Sequence, residues 1–324
     1  MRTRRASLIH NPNAGMTESR DNIDQFLKFW RSRGWDITPT PTRHAGHATE
    51  LAREAAERGD RLLFAAGGDG TLNEVANGLA KSETILAPLP FGTANVLAKE
   101  IGIPMPNLLD GAWLLKVSRL LADGRVHSMD LGLCNDERYW LLWASAGMDA
   151  FLIEQSEPRP RWIKRLGMAG YAAQISLSLP RASSMRARIQ VDDEYMEGEY
   201  LVVNISNSRR YAGGALELNP FGVLDDGQFE VYAFEGGNLV DVVEQTIKVS
   251  MKNHYSDARV QVVTGRSVRI ETENPVPFHL DAEPGGHTPL TCTLAPGALR
   301  ILAPADAPAK LFKQPGQALN EEPA

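Results

Sequence analysis

The hydrophobic pattern of the first 130 residues alternates between two kinds of spacing. Short apolar runs such as Arg61–Ala66 are typical of buried strands. Between such runs, Ile23, Phe26, Leu27 and Trp30 follow the i, i+3, i+4, i+7 spacing of an amphipathic helix. Strands that alternate with helices predict a parallel sheet with helices on its faces.

The pattern changes near residue 125, where closely spaced strands replace the strand–helix alternation. Val126–Cys134 and Arg138–Ala144 predict two strands joined by a short turn, and Met185–Val191 with Glu197–Ile205 predicts a hairpin. A helix is predicted at Leu239–Met251. Further short strands are predicted at residues 228–234, 259–264, 267–272, 276–282 and 289–302.

These patterns predict an α/β domain followed by an all-β domain. We expect a Rossmann-like three-layer α/β domain over residues 1–125 and an antiparallel β-sandwich domain over residues 126–302. The C-terminal segment, residues 303–324, can pack back on the first domain.

Composition narrows the function classes. The chain has 324 residues, 34 Lys and Arg, 40 Asp and Glu, and a net charge of −6, which argues against a general nucleic-acid binder. Its two cysteines are too few for a disulfide framework, and no apolar run approaches the roughly 20 residues of a spanning helix. We therefore expect a cytoplasmic protein.

A glycine-rich run is the strongest candidate for chemistry. Residues 65–74 read Ala-Ala-Gly-Gly-Asp-Gly-Thr-Leu-Asn-Glu, at a strand end where a helix begins. Glycines let backbone N–H groups approach a phosphate, and a helix N-terminus favours negative charge. Bare phosphates would repel Asp69, so the run makes sense if Mg²⁺ lies between them. A plain tight turn is the alternative, but one or two glycines would suffice for it.

Two further loops follow predicted strands of the same sheet. Residues 11–15 read Asn-Pro-Asn-Ala-Gly, and residues 91–95 read Phe-Gly-Thr-Ala-Asn. Each alone could be ordinary turn sequence. Three such loops at successive sheet exits are better explained by one nucleotide lying across the edge. The P-loop and dinucleotide-binding signatures are both absent from the sequence.

In their order along the chain, these motifs resemble the diacylglycerol kinase catalytic-domain family, which includes sphingosine kinases and soluble bacterial lipid kinases. The resemblance spans roughly residues 5–303. It implies an ATP-dependent enzyme in which residues 1–125 form the nucleotide domain and residues 126–302 form the lipid-binding domain. Such an enzyme transfers the γ-phosphoryl group to the hydroxyl of a lipid that is diacylglycerol-like, or sphingoid- or ceramide-like. The implied ATP-binding residues are Asn11, Pro12, Asn13, Ala14, Gly15, Thr42, Ala66, Gly67, Gly68, Asp69, Gly70, Thr71, Leu72 and Thr93.

The resemblance also implies catalytic roles. Asp69 would organise Mg²⁺ with support from Asp130, and Glu283, in the element Asp281-Ala282-Glu283, would act as general base on the lipid hydroxyl. Asp281 belongs to the same implied catalytic set. A carboxylate within hydrogen-bond reach can take the proton of an alcohol as the new P–O bond forms. The alternative for Glu283 is a solvated loop acid.

A structural Mg²⁺ is implied at an acidic turn of the second domain, with the Asp226 side chain and the backbone carbonyls of Val223 and Gln228 as ligands. An ordinary hairpin turn is the alternative reading of this segment. Three positions depart from the family pattern, and one of them is Glu230, which stands where an Asp is common. Val96 stands where the family has an Asp, and Ala282 replaces a Gly, which we expect to limit positive φ there.

The expected partners are a nucleotide and a lipid substrate at a membrane surface, with no nucleic acid; a homodimer stays open. Basic residues Arg161, Lys164 and Arg165 flank Trp162 in a segment that fits either a peripheral, interfacial membrane helix or the charged face of a packed helix. His44 and His47 suggest a metal site, but the sequence shows no evident third ligand.

Two other functions remain open from the sequence. A NAD kinase-like enzyme shares the Gly-Gly-Asp-Gly run, and a non-catalytic nucleotide- or lipid-binding relative is compatible with Val96. Asn73-Glu74 and the element at residues 281–283 favour the lipid kinase.

Overall fold

The computed structural model describes residues 4–12, 20–107, 110–156 and 184–319. The chain forms two compact units. Unit 1 comprises Met1–Leu131, Val223–Asp226 and Pro296–Ala324. Unit 2 comprises Gly132–Gly222 and Gly227–Ala295.

Unit 1 begins with alternating strands and helices. Its elements are β1 (Arg4–His10), α1 (Arg20–Arg31), β2 (Trp35–Pro41), α2 (His47–Glu57), β3 (Leu62–Gly67), α3 (Asp69–Leu79), β4 (Ile85–Pro90), α4 (Val96–Glu100) and α5 (Trp113–Ala122). The strands run parallel in the order β2, β1, β3, β4. β3 and β4 are buried along their whole length, which explains their continuous apolar sequence. The predicted parallel sheet is confirmed.

Aromatic side chains attach α1 to the sheet of unit 1. The Phe26 and Trp30 rings lie 4.9 and 4.8 Å from the ring of Phe64 in β3, measured between centroids. α1 also packs against α5, and α2 packs against α3. These helical layers complete the three-layer α/β architecture that the alternating pattern predicts.

Unit 2 is built mainly from antiparallel strands. The elements that follow along the chain are β5 (Arg125–Cys134), β6 (Arg138–Trp140), β7 (Trp143–Gly147), α6 (Met148–Ser156), β8 (Met185–Val191), β9 (Glu194–Ser206), β10 (Arg210–Tyr211), β11 (Leu216–Glu217), β12 (Phe229–Glu235), α7 (Leu239–Ser250), β13 (Val260–Gly265), β14 (Ser267–Thr272), β15 (Pro277–Leu280), β16 (Glu283–His287), β17 (Leu290–Ala303) and β18 (Gln317–Ala318). Three of these strands lie partly or wholly in unit 1: β5 as far as Leu131, β17 from Pro296, and all of β18. In unit 1, β17 pairs with β4, and β18 pairs with β5.

The long strand β9 organises the sandwich of unit 2. Its first half pairs with β8, and its second half pairs with β7 on one side and β12 on the other. In β8, the buried residues Met185, Ala187 and Ile189 alternate with the exposed residues Arg186 and Arg188. This two-residue period is that of a strand with one face on a core, and it confirms the predicted antiparallel sandwich.

One predicted strand is divided in the structure. Arg138–Ala144 was expected to be continuous, but it forms β6 and β7 with a break at Leu141 and Leu142. The backbone N–H groups of Leu141 and Leu142 donate to the carboxylate of Asp281 at 2.7 and 2.8 Å. Because these N–H groups donate to a side chain, they do not form the backbone hydrogen bonds of a continuous strand at this point.

Turn geometry corrects other predicted boundaries. The strand expected over 276–282 ends at Leu280, which pairs with Glu283 across a two-residue connection. Asp281 and Ala282 in that connection have φ of 50° and 63°. This is the geometry of a type I′ hairpin turn, so the expectation that alanine would limit positive φ here is wrong. The β8–β9 turn is also tighter than predicted, because β9 begins at Glu194.

Candidate functional site

Two glycine loops touch each other in unit 1. Gly68 precedes α3 and Gly92 follows β4. A Cβ on Gly92 would lie 2.4 Å from the Gly68 Cα, and a Cβ on Gly68 would lie 3.3 Å from the Gly92 Cα. The Phe91 N–H also donates to the Gly67 carbonyl at 2.9 Å. Only bare backbone fits at this contact, which lies at the carboxyl ends of two neighbouring parallel strands, where α/β sheets bind ligands.

Asp69 is held by the second of these loops. Its Oδ1 accepts the backbone N–H of Val96 at 2.6 Å. The loop is closed by Asn95, whose amide oxygen accepts the Gly92 N–H at 2.9 Å and whose amide nitrogen donates to the Gly92 carbonyl at 2.7 Å. Asn95 itself has a φ of 49°, and α4 begins directly after it, at Val96. The carboxylate is therefore positioned by backbone that the Asn95 turn presents.

Residues after β1 and β2 join the same edge of the unit 1 sheet. The Asn11 N–H donates to the Ala66 carbonyl at 3.0 Å, and its amide lies 3.4 Å from the Thr71 hydroxyl. The Thr42 N–H donates to the His10 carbonyl at 2.8 Å. The structure thus brings together the predicted loops that begin at Asn11, Thr42 and residue 67.

The remaining predicted nucleotide residues divide by burial. Ala66 and Leu72 are buried in the core, so a nucleotide could reach only their backbone. Pro12 and Thr93 are exposed, and Gly70 is half-buried. Asn13, Ala14 and Gly15 lie outside the described residues.

Glu74, within the glycine-rich motif, has a structural role. Its two carboxylate oxygens accept the backbone N–H groups of Gly46 and Ala48 at 2.9 and 3.0 Å, at the start of α2. A carboxylate at this position satisfies two donors of the first helical turn and complements the helix dipole. Glu74 therefore attaches the loop after β2 to the helix that follows the glycine run.

The structure supplies the third ligand that the sequence lacked for His44 and His47. Nitrogen and oxygen ligand atoms of His44, His47 and Glu50 all lie within 4.8 Å of one another, and no other such group occurs among the described residues. However, the Nδ1 atom of His47 accepts the Arg43 N–H at 3.1 Å. Its other ring nitrogen then carries the proton in the neutral imidazole, which opposes metal binding.

Asp130 connects segments of unit 1. It is buried, its N–H donates to the Leu224 carbonyl at 2.7 Å, and its Oδ1 accepts the Gly297 N–H at 2.7 Å. Its proposed support of Asp69 stays a prediction.

The neighbouring acidic turn distinguishes its two aspartates. The carboxylate of Asp225 accepts the backbone N–H groups of Lys313 and Gln314. Asp225 thus has a structural role, and the predicted Mg²⁺ ligands are its neighbour Asp226 and the carbonyls of Val223 and Gln228. That ligand set stays a prediction.

In unit 2, the proposed base lies directly after the type I′ turn. Glu283 begins β16, its side chain is 43% exposed, and it forms an ion pair with Arg138. The neighbouring Asp281 is buried, and its carboxylate accepts a third N–H, from Trp143, at 3.2 Å. Asp281 thus anchors the turn, while Glu283 is accessible to solvent.

A buried network supports the other side of this turn. His279 Nδ1 accepts the Ala282 N–H at 3.3 Å, so its Nε2 atom donates to Asp149 Oδ2, which lies 3.2 Å away. The Tyr211 hydroxyl donates to the same oxygen. Burial raises the pKa of Asp149, but the electrostatic interaction with the His279 ring and the hydrogen bonds from His279 and Tyr211 outweigh the effect of burial, so the pKa of Asp149 is below its usual value. Sequence reasoning missed this network, since its residues are far apart and form no motif.

An apolar cavity adjoins this network in unit 2. Its volume is about 120 Å³, and it lies among α6, β9 and α7, with Asp149 and Tyr211 in its wall. No sequence signal marked it, because its lining comes from six separate elements.

The predicted membrane segment with Arg161, Lys164 and Arg165 lies outside the described residues. Among the helices of the described part of the chain, none has the length and apolar character needed to cross a membrane.

Comparisons with known proteins agree with this arrangement. A family model described as the diacylglycerol kinase catalytic domain matches residues 5–134. A second, described as the YegS C-terminal NAD kinase beta sandwich-like domain, matches residues 143–303.

Full-length relatives match over nearly the whole chain. The diacylglycerol kinase of Bacillus subtilis is 30% identical over 291 residues, which cover 88% of this chain and 92% of that protein. A probable lipid kinase YegS-like protein of Cronobacter sakazakii is 29% identical over 288 residues, covering 87% and 91%. A crystal structure of a diacylglycerol kinase from Bacillus anthracis has a TM-score of 0.67 at 21% identity, covering 94% of this chain and 98% of that one, and shows the likeness of fold.

The resemblance predicted from the sequence motifs is therefore confirmed, and both matched domains coincide with the α/β and β-sandwich architecture. The chain belongs to the diacylglycerol kinase catalytic-domain family, a family of lipid kinases.

Proposed function

We propose that this protein transfers the γ-phosphoryl group of ATP to the hydroxyl group of a lipid, with Mg²⁺ as the cofactor. One observation carries the proposal: a carboxylate, Asp69, is fixed beside two bare glycine loops at the carboxyl ends of adjacent parallel strands. Phosphoryl transfer depends chiefly on positioning and on neutralising phosphate charge, and this edge of unit 1 offers groups for both.

In the proposed reaction, unit 1 supplies nucleotide-binding groups and unit 2 supplies the base. Glu283 takes the proton of the lipid hydroxyl while the hydroxyl oxygen bonds to the γ-phosphorus of ATP. The bond between the γ-phosphorus and the oxygen that bridges it to the β-phosphate breaks, which releases ADP. The ion pair with Arg138 orients the Glu283 carboxylate, and the turn beneath it is fixed by Asp281 and His279.

The residues of unit 1 are compatible with a bound Mg²⁺. Asp69 is a hard oxygen ligand, and its Oδ1 atom accepts the backbone N–H of Val96. Mg²⁺ prefers one or two carboxylates together with substrate phosphates. When bound, it would neutralise developing charge on the transferred group. Asp69 would hold it, because the Val96 N–H fixes the carboxylate without neutralising it.

Helix α7 supports access to a membrane surface. Its residues Val240, Val243 and Ile247, with Met251 directly after the helix, form an apolar stripe on one side and are 50–74% exposed. An apolar helix face directed to solvent suits the interfacial region of a bilayer, where a lipid substrate would be presented. Peripheral membrane association at α7 is therefore part of the proposal.

A panel experiment tests the function. The full-length protein is incubated with ³²P-γ-labelled ATP, Mg²⁺ and vesicles that each contain one candidate lipid: diacylglycerol, phosphatidylglycerol, a sphingoid base or ceramide. NAD and buffer alone are parallel reactions. We expect label in the organic phase with at least one lipid, and mass spectrometry identifies the product. Label on NAD would favour a NAD kinase-like enzyme, and no transfer in any reaction would favour a non-catalytic relative.

A further inference from the structure

Asn204 is a fully buried amide with no partner. It lies in β9, has no exposed surface, and neither its side-chain nitrogen nor its oxygen has a hydrogen-bond partner. Its neighbours Val203 and Ile205 belong to the main core of unit 2. Asn204 lines the apolar cavity beside α7. Burying an amide without a hydrogen-bond partner costs the free energy of removing it from water. Buried amides in native structures therefore normally have a hydrogen-bond partner.

The polar groups nearest to Asn204 along the sheet are bonded elsewhere. Tyr232, opposite it in β12, donates its hydroxyl to Asn219 at 3.1 Å. Ser145, opposite it in β7, donates its hydroxyl to the Val203 carbonyl at 3.2 Å. Neither of these two neighbouring side chains therefore provides a hydrogen bond to the Asn204 amide.

A second buried amide in the same cavity is only half satisfied. The nitrogen of Gln245 donates to Asp257 at 3.2 Å, but its Oε1 has no partner. The rest of the wall is largely apolar and includes Leu216, Leu218 and Phe234. The cavity thus combines an aliphatic and aromatic surface with one unpaired donor group and two unpaired acceptors.

We propose that Asn204 and Gln245 form the polar recognition point of a ligand site in this cavity, which takes an aliphatic chain bearing a hydroxyl or amide group. A ligand of this kind offers both a donor and an acceptor, as Asn204 requires. An ester or ether oxygen only accepts, so it leaves the Asn204 and Gln245 oxygens unpaired. The apolar wall favours the chain over a cluster of water molecules.

The identification of this ligand with the acceptor lipid rests on the proposed kinase function. In that case, the site favours acceptors that carry a hydroxyl or amide besides the hydroxyl that is phosphorylated. Sphingoid bases, ceramides and monoacylglycerols meet this condition. A diacylglycerol, whose other polar groups are esters, does not.

A binding experiment without ATP tests the site. Isothermal titration compares 1-octanol with octyl methyl ether on wild-type protein and on Asn204→Leu, which replaces the amide by an apolar side chain of similar size. We expect Asn204→Leu to weaken octanol binding about tenfold and to weaken ether binding by less, because the ether can only accept a hydrogen bond from the amide. The matched control, Asn253→Leu, changes an exposed asparagine outside the cavity and should bind both probes as wild type does.

Two results would overturn the proposal. Unchanged octanol binding by Asn204→Leu would show that water alone satisfies the amide. Persistence of binding in Val249→Phe, a folded variant with a larger side chain in the cavity wall, would place the probe elsewhere. Because neither measurement needs phosphoryl transfer, a protein without kinase activity could still meet them, so the two proposals fail separately.

Discussion

The backbone N–H of Val96 donates a hydrogen bond of 2.6 Å to the carboxylate of Asp69. The sequence suggested that valine here removes an acidic partner of Asp69. The structure adds that the link between Asp69 and the second glycine loop runs through the backbone N–H, which any residue except proline supplies at position 96. Val96 itself is buried, so its side chain packs in the core.

Asp69→Asn tests whether the charge of this carboxylate drives phosphoryl transfer. The amide oxygen of asparagine can still accept the Val96 N–H, so we expect the fold to persist with a change below about 1 kcal/mol in the free energy of unfolding. Transfer should fall about 100-fold or more, since the charge that would hold Mg²⁺ is gone. ADP release and urea unfolding are measured together. The control is Asp193→Asn, which changes an exposed turn residue. Wild-type turnover by Asp69→Asn would contradict this role.

Ala282→Gly tests the strain in the turn that precedes Glu283. Ala282 has a φ of 63°, a conformation that glycine adopts without steric cost. Because the site demands positive φ, we expect glycine to stabilise the protein by about 0.5–1 kcal/mol, and Ala282→Val to destabilise it. Urea unfolding with a common slope measures both. A loss of stability in the glycine variant would show that the methyl group contributes packing that outweighs the strain.

Local sequence predicted much of the architecture, and distant contacts explain what it missed. Continuous apolar runs identified β3 and β4, because strands buried on both faces need no polar positions. The break between β6 and β7 could not be predicted, since its cause is the carboxylate of Asp281, 139 residues from Leu142.

The same division holds for the site. The glycine loops could be found in the sequence because two backbones that approach closely, as at Gly68 and Gly92, need residues without a Cβ. Arg138, His279 and Asn204 left none, since a lone histidine or asparagine in a strand has no local pattern. Their roles depend on surroundings that only the folded sandwich brings together.

The exposed stripe on α7 gives a membrane prediction. Val243→Glu combined with Ile247→Glu places two charges on a face whose native residues are 50% and 53% exposed. We expect the folded double variant to lose most of its binding to anionic phosphatidylglycerol vesicles, because charged groups resist transfer into the interfacial region.

Co-sedimentation measures this binding. The matched control is Val262→Glu, at an exposed position in β13. Equal sedimentation of the double variant and the wild type would rule out α7 as the membrane-contact face.

A pH prediction follows from Asp257, which helps to fix α7. Hydrogen bonds from Lys248 and from the Arg259 N–H lower the pKa of Asp257 to about 2. Its contribution to stability is therefore present above pH 4, the usual range for an unfolded aspartate, and is lost as the pH falls through about 2.

We expect Asp257→Asn to lower the free energy of unfolding at pH 7 and to flatten its decline between pH 4 and pH 2. Denaturant unfolding over this range, with exposed Asp193→Asn as the control, provides the measurement. A decline as steep in Asp257→Asn as in the wild type would assign the acid sensitivity to other carboxylates.

The most direct measurement of the proposed reaction is the transfer of label from ³²P-γ-ATP to an identified lipid acceptor by wild type and by Glu283→Gln. Glutamine keeps the shape of the side chain at the start of β16 but cannot take the proton of the hydroxyl. We predict at least a 100-fold loss of labelled lipid with unchanged unfolding and unchanged ATP binding. Labelled lipid at the wild-type rate from Glu283→Gln would contradict the assignment of Glu283 as the base.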